Sequence, residues 1–120
     1  MKKIDFLAIG DIVVDAFINI KDAHVHCKID TLACEICLRF GDKVPYESVT
    51  VVPAVGNSPN AAVAAARLGL SSALVSAIGK DKNGKDCLKV LKEENVNTKF
   101  INVNKNQSTN YHYVLLHNAE

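Results

Sequence analysis

The sequence predicts an α/β fold, in which helices flank a parallel sheet. Two observations carry this prediction. Strand-like and helix-like segments alternate along most of the chain, and 48% of the residues are hydrophobic while only 6% are aromatic, so that Val, Ile, Leu and Ala must build the core. Alternating strands and helices form parallel sheets with right-handed crossovers, and strands buried on both faces read as continuous apolar runs.

The length and the charge limit the classes of protein. A chain of 120 residues is one domain or part of one. A formal charge of +1, from 14 basic and 13 acidic residues, predicts neither nucleic acid nor an anionic membrane surface as a partner. No apolar run is long enough for a membrane helix, and the basic start is interrupted by Ile4-Asp5 rather than followed by a leader-like apolar region. We therefore expect a cytoplasmic protein.

The amino-terminal third contains the predicted first strand and a long connection. The apolar run over residues 5–15 predicts a buried strand that bends at Gly10 and continues through Ile20. Residues 21–46 are mixed in polarity and lack a clear period, which is typical of a functional loop or a lid. A second strand is predicted over residues 47–52.

The first helix is predicted from its end signals. The second strand stops at Pro53, and Ser58 is placed as the N-cap with Pro59 at the first helical position, where a missing N–H costs nothing. An alanine-rich body then runs to about Leu68, and Gly69 supplies the stop.

The remaining elements complete the alternation. Strand character over residues 72–78 is followed by an amphipathic helix over 83–95. A strand over 99–103 and a polar turn over 104–108 lead to a last apolar strand over 111–117. Because no closing helix follows that strand, we expect the chain to be one part of a larger α/β protein.

One loop resembles a phosphate-binding loop. Gly79-Lys80-Asp81-Lys82-Asn83-Gly84-Lys85 follows a strand and opens a helix, but Asp86 stands where Ser or Thr would hold a metal ion. A carboxylate there would repel phosphates. We therefore interpret the segment as a polar strand-to-helix turn capped by Asp81 or Asn83, with a nucleotide loop as the alternative.

Two acidic residues near the first strand are candidates for a catalytic pair. Asp11 and Asp15 share a face of an extended strand, but four residues span ~13 Å. This is more than the ~5–9.5 Å that separates paired carboxylates in glycoside hydrolysis. Asp15 alone lies near the carboxyl end of a strand, where open α/β sheets bind ligands, and its alternative role is in a turn or cap.

Five candidate metal ligands occur within the long connection. They are His24, His26, Cys27, Cys34 and Cys37. Zinc needs four such groups in tetrahedral reach, but the His-x-His-Cys half lacks a usual zinc-finger spacing. We expect ordinary reduced thiols, as in other chains without a secretory leader, and zinc remains the alternative.

The turn before the first helix is the strongest functional feature. Gly56 allows a ligand to approach the backbone closely, and the amides at a helix start point outward as donors. Asn57 and Asn60 add side-chain amides that both donate and accept, which suits a polyol. The alternative is a well-capped helix without a ligand.

Three segments, taken in order, resemble one family. They are Gly10–Asp15, Gly56–Gly69 and Ile78–Gly84. The chain is similar to the amino-terminal part of the ribokinase-like (phosphofructokinase B-type) carbohydrate and nucleoside kinases, whose G-x-D-x-x-G turn matches the third segment. The resemblance implies a truncated ribokinase-like sheet plus a small β lid.

The resemblance also implies an acceptor-binding half-site for a sugar or nucleoside. Asp15 would accept hydrogen bonds from substrate hydroxyls, while Gly56 and Asn57 would contact the sugar ring. Asn60 would hold the turn or reach the ligand, and His112 would present a lid side chain to the substrate.

The domain assignment follows from the same resemblance. Residues 1–120 would form the amino-terminal part of a ribokinase-like kinase domain, with residues 21–54 and 109–117 contributing lid strands that can pair two subunits as a homodimer. Two departures concern the substrate side. Val55 stands where the family usually has a second glycine, and Val13 stands where some members place a second polar sugar ligand.

The family's catalytic base is absent from this sequence. That base is an Asp in a Gly-Ala-Gly-Asp type motif, and neither it nor most of the site for ATP and Mg²⁺ occurs before Glu120. We therefore expect no catalytic residue in this chain and no phosphoryl transfer by it alone, because the reaction depends on groups aimed at developing charge. The competing function is a non-catalytic polyol-binding or lid-mediated interaction module.

Overall fold

The structure is a computed structural model that describes residues 2–21, 23–27 and 34–117, without the side chains of His24, His26 and Cys27. Within these ranges the chain forms eight strands and two helices. The strands are β1 (Phe6–Ile9), β2 (Val13–Ile20), β3 (His24–Cys27), β4 (Cys34–Cys37), β5 (Tyr46–Val55), β6 (Ser72–Gly79), β7 (Ile101–Asn104) and β8 (Asn110–Leu116). The helices are α1 (Asn57–Arg67) and α2 (Lys82–Glu93).

The chain divides into two compact units. The first contains the residues up to Asp15 together with Val52–His112, and the second contains Ala16–Val51 together with the residues from Tyr113 onward. The unit boundaries therefore fall within β2, β5 and β8.

The first unit is built on a three-stranded parallel sheet with the order β1-β6-β7. Phe6 of β1 lies opposite Ser72 of β6, and Gly79 at the end of β6 lies opposite Asn104 of β7. The helix α1 leads into β6, and α2 connects β6 to its parallel neighbour β7. The predicted α/β class with a parallel sheet and flanking helices is confirmed.

A single apolar cluster fills the first unit. Leu74 of β6 and Leu91 of α2 are completely buried, and each such side chain contributes roughly 2–3 kcal/mol relative to exposure. The cluster draws on the sheet, both helices and the connection between β1 and β2; its buried members are Ala8, Ile12, Val14, Ala54, Ala62, Leu74, Ile78, Cys87, Leu91, Val96 and Ile101. A buried hydrogen bond from the Ser72 hydroxyl to the carbonyl of Ala62, 2.7 Å long, fastens α1 to the sheet.

The predicted first strand is two strands. β1 belongs to the parallel sheet, whereas β2 is the middle strand of a second sheet with the order β5-β2-β8. The chain leaves the first sheet after the amide of Gly10 donates to the carbonyl of Val75 at 3.1 Å. Ile12, in the segment between β1 and β2, is only 1% exposed and packs in the core. A continuous apolar run therefore concealed a change of sheet.

The second unit contains a hairpin that the residue pattern did not predict, although the family resemblance implied lid strands within residues 21–54. β3 and β4 pair antiparallel, with His24 opposite Cys37 and Cys27 opposite Cys34. Most of β4 is exposed, so this strand does not need the alternating apolar pattern by which strands are recognised.

The predicted stop at Pro53 is wrong. β5 continues through Pro53 to Val55, and it is an outer strand in the order β5-β2-β8. An outer strand tolerates proline because the missing N–H can face away from the ladder.

The start of α1 differs from the prediction, and its end agrees. The N-cap is Gly56 rather than Ser58, without a side-chain cap bond, because the Ser58 hydroxyl donates to the carbonyl of Ile9 at 2.9 Å. At the other end the amides of Gly69 and Leu70 donate to the carbonyls of Ala66 and Ala65, the paired bonds of a Schellman motif.

No helix in the described part of the chain combines the length and the apolar character needed to cross a membrane.

Candidate functional site

The turn before α1 lies against the segment that joins β1 to β2. Gly56 has φ +121°, a conformation that side chains other than glycine rarely adopt. A Cβ built on Gly56 would lie 3.1 Å from the carbonyl oxygen of Asp11 and 3.7 Å from the side chain of Val13. The backbone of this turn is therefore closely packed on one side, and its carbonyl accepts the first helical bond from the Asn60 amide at 3.0 Å.

Asp15 and His112 come together within the same unit. The Asp15 Oδ1 and His112 Nδ1 atoms are 3.6 Å apart, and their side chains are 25% and 61% exposed. This distance is longer than a hydrogen bond, so both groups keep capacity for a ligand placed beside them. The sequence placed both residues in the candidate site, but nothing in it showed that they meet.

Val13 connects this pair to the turn. The Val13 side chain lies at Gly56, and Asp15 follows two residues later on the same face of β2, roughly 6.6 Å along the strand. The Gly56 turn and the Asp15 carboxylate therefore lie on one side of β2. Their joint use by a ligand stays a prediction.

The two asparagines occupy the first turn of α1 and are exposed. Among the described residues, no hydrogen bond joins either side-chain amide to another protein group. Asn60 also borders a cavity of about 450 Å³. Arg67, the last residue of α1, and Glu94, the C-cap of α2, line the same cavity. Most of that cavity's remaining lining is apolar, which suits a polyol poorly.

The sequence reasoning missed Thr109, which is central to the neighbouring turn. The Asp81 carboxylate accepts hydrogen bonds from the Gly84 amide at 2.7 Å, the Thr109 amide at 2.8 Å and the Thr109 hydroxyl at 2.7 Å. The Thr109 hydroxyl in turn accepts from the Gly79 amide at 3.0 Å. We call Gly79, Asp81, Gly84 and Thr109 the Asp81 clamp. It fixes the start of β8, three residues before His112.

The clamp decides between the two interpretations of the glycine-rich loop. Asp81 is the N-cap of α2 and already holds the Gly84 amide at the helix start. A bound phosphate would need such amides and would meet this carboxylate. The loop is therefore a capped strand-to-helix turn, as predicted, and Asp81 rather than Asn83 is the cap.

The clamp makes stability depend on pH. Hydrogen bonds from the Thr109 amide and hydroxyl, and then from the Gly84 amide, lower the pKa of Asp81 below its ordinary value of 3.8. A carboxylate with a lowered folded pKa stabilises fully above its unfolded pKa, and the contribution is lost as the pH falls through the folded value. We expect Asp81→Asn to be much less stable than the native chain at about pH 6. The difference should shrink as the pH falls below 3.8 and through the lowered folded pKa, measured by urea unfolding.

The matched control for this prediction is Asp86→Asn on the same helix. Asp86 makes an exposed ion pair with Lys82 at 2.7 Å, and such pairs contribute about 0.5 kcal/mol or less. An equal loss of stability in both variants at about pH 6 would show that the clamp has no special role.

The cysteines differ in state. Cys34 is disulfide-bonded, so the expectation of reduced thiols is wrong for this residue, whereas Cys37 and Cys87 are free. Burial raises the pKa of the Cys87 thiol. Among the described side chains no three potential ligands converge on a metal site; the side chains of His24, His26 and Cys27 lie outside the described residues, so the zinc alternative stays untested.

Comparisons with known proteins identify the family and the fold. Residues 25–120 match the model of the pfkB family carbohydrate kinases. Among solved structures, ribokinase of Arabidopsis thaliana complexed with ribose and ATP is 18% identical, with a TM-score of 0.76 over 93% of this chain and 32% of that protein. Fructokinase of Halothermothrix orenii is 28% identical, with a TM-score of 0.66 over 93% of this chain and 34% of that protein.

An archaeal relative has the same fold. Nucleoside kinase of Methanocaldococcus jannaschii is 17% identical, with a TM-score of 0.72 over 93% of this chain and 32% of that protein. A search of curated protein sequences gives no significant match. The chain spans about a third of the length of each of these three kinases. Since the family model covers most of the sequence and the fold agrees, the chain belongs to the pfkB family of carbohydrate kinases.

Proposed function

We propose that this chain holds the acceptor-binding half of an ATP-dependent kinase that phosphorylates a hydroxyl of a sugar or nucleoside. The observation that carries the proposal is the approach of Asp15 and His112 to 3.6 Å on the side of β2 where Val13 contacts the Gly56 turn. Relatives of the same fold support it, since one ribokinase is complexed with ribose and ATP and another with ADP.

The chemistry of these groups suits a polyol. The Asp15 carboxylate only accepts hydrogen bonds, and sugar hydroxyls are donors. The amides of Asn57 and Asn60 and the ring of His112 can each donate or accept hydrogen bonds. They can therefore bind adjacent hydroxyls both as donors and as acceptors. Such an arrangement would orient an acceptor hydroxyl, which is the larger part of catalysis in phosphoryl transfer.

We assign proton abstraction, and most of the nucleotide binding, to residues outside this chain. The sequence contains no Gly-Ala-Gly-Asp type motif, whose Asp the family resemblance identifies as the general base. ATP would supply the phosphoryl group, and Mg²⁺ would neutralise charge on its phosphates. The residues for both are expected mostly outside this chain.

This assignment predicts binding without turnover. We expect the 120-residue protein to bind at least one compound in a panel of pentoses, hexoses and nucleosides, measured by isothermal titration calorimetry. A coupled assay for ADP should show no turnover with any of them. Turnover of ATP by this chain would contradict the location of the base, while failure to bind any polyol would contradict the site itself.

Pairing of two chains through the lid strands stays a prediction. Sedimentation equilibrium of the purified protein tests it, with a monomer across the accessible concentration range as the contrary result.

A further inference from the structure

A second cavity lies entirely within the second unit. Its volume is about 720 Å³, which is large enough for a small organic molecule. The lining includes the cations Lys21, Arg39 and Lys43 and the apolar residues Leu38, Val44 and Pro45. None of them belongs to the candidate acceptor site.

The described lining of the cavity carries more positive than negative charge. Lys21, Arg39 and Lys43 line it, against the one carboxylate of Asp42. Among the described residues none of the three cations forms an ion pair with a carboxylate. Charges that lack a protein partner and share one concave surface attract an anion more strongly than the same charges dispersed on a convex surface.

The local backbone holds these groups in place. The amide of Asp42 donates to the carbonyl of Arg39 at 3.3 Å and so closes the turn that carries the two central cations. The Asp42 carboxylate accepts from the amide of Lys43 at 3.1 Å, so part of its charge is already satisfied by its own turn. On the other wall, His117 Nδ1 donates to the carbonyl of Ile20 at 2.8 Å.

Part of the remaining lining is apolar. Leu38, Val44 and Pro45 border the same space as the cations. Cations beside apolar side chains match a ligand that has an anionic group on an organic body. Arg and Lys favour phosphate in particular, because charge-assisted hydrogen bonds to its oxygens are strong.

We propose that this cavity binds a small phosphorylated organic molecule, with Arg39, Lys43 and Lys21 holding the phosphate group and Leu38, Val44 and Pro45 contacting the organic part. The site is independent of the proposed acceptor site because every residue in it belongs to the second unit.

Cys37 provides a direct readout of occupancy. It lines the cavity, is exposed and carries a free thiol, whereas Cys87 is buried and Cys34 is disulfide-bonded. The experiment measures the rate at which neutral iodoacetamide alkylates Cys37, identified by peptide mass spectrometry, with increasing phenyl phosphate at low ionic strength. We expect a saturable decrease in this rate. Calorimetry on the same samples should give tighter binding of phenyl phosphate than of inorganic phosphate.

Substitutions then test the residues. Arg39→Gln and Lys43→Gln should each weaken phenyl phosphate binding by about tenfold, since a hydrogen bond between charged groups is lost. Lys105→Gln removes the same charge from an exposed position in the first unit and should change affinity less than about twofold. All variants should keep the thermal midpoint of the native chain because the substituted side chains are exposed.

The contrary results are equally specific. An alkylation rate that does not respond to phenyl phosphate would overturn the site. Equal weakening in Lys105→Gln would show a general charge effect and would also overturn it. Equal affinity for inorganic and phenyl phosphate would overturn the part assigned to Leu38, Val44 and Pro45.

Discussion

Replacing Gly79 by alanine should lower the free energy of unfolding by about 3 kcal/mol or more, because the added methyl group would overlap packed backbone. A Cβ at Gly79 would meet the carbonyl oxygen of Gln107, the amide nitrogen of Thr109 at 2.6 Å and the carbonyl carbon of Ser108 at 2.8 Å. These atoms belong to the backbone and cannot move aside by a change of rotamer. Relief of the overlap would displace Thr109 and break its bonds to Gly79 and Asp81.

Thermal and urea unfolding measure this effect, and Gly69→Ala is the matched control. Gly69 has φ +90° but nothing lies within 4 Å of a Cβ placed there, so that variant bears only the backbone cost of a positive φ, about 1–2 kcal/mol. Thr109→Val supplies a second test without steric overlap, since it removes the hydroxyl and its two hydrogen bonds. A Gly79→Ala protein as stable as Gly69→Ala would contradict the packing of the clamp.

Replacing Asp15 by asparagine should weaken polyol binding by about 10- to 100-fold, the loss expected when hydrogen bonds to a charged acceptor become bonds to a neutral one. The shape of the side chain is nearly unchanged, so folding should be preserved. The measurement is calorimetric titration with the tightest-binding sugar or nucleoside of the panel. This prediction rests on the proposed function.

Asp11→Asn controls for the loss of one negative charge. Asp11 is exposed and lies four residues before Asp15, and its side chain has no assigned role in binding. If both variants weaken binding equally, the effect is long-range electrostatics rather than contact with Asp15. If neither weakens binding, Asp15 is not a ligand of the polyol.

Much of the fold could be predicted because its signals are local. The end of α1 at Gly69 depends on residues within one turn of it, and the parallel sheet follows from the alternation of apolar strands with helices. For the same reason the sequence predicted that either Asp81 or Asn83 caps α2, and Asp81 is the cap. The resemblance to the family could be seen because it rests on short motifs. These are the glycine and asparagine residues of the turn before α1 and the G-x-D-x-x-G spacing of the Asp81 loop.

Three of the errors share one cause, which is the tertiary context of the residue concerned. Ser58 has the side chain of an N-cap, but the carbonyl of Ile9 takes its hydroxyl. Pro53 has the chemistry of a strand stop, but β5 is an outer strand that accommodates it. Gly10 lies inside an apolar run, yet the run divides between two sheets. In each case the deciding atom belongs to a segment that no local pattern identifies.

For the candidate site too, some features could be predicted from the sequence and others depend on tertiary packing. Its residue types, namely one carboxylate and two amides around a glycine turn, could be named from the amino-acid order alone. The meeting of Asp15 with His112, and the bonds that join Asp81 to Thr109, arise only when segments distant in sequence are brought side by side. Hydrogen bonds act over about 3 Å, and only the packed backbone sets distances of that size between residues so far apart in sequence.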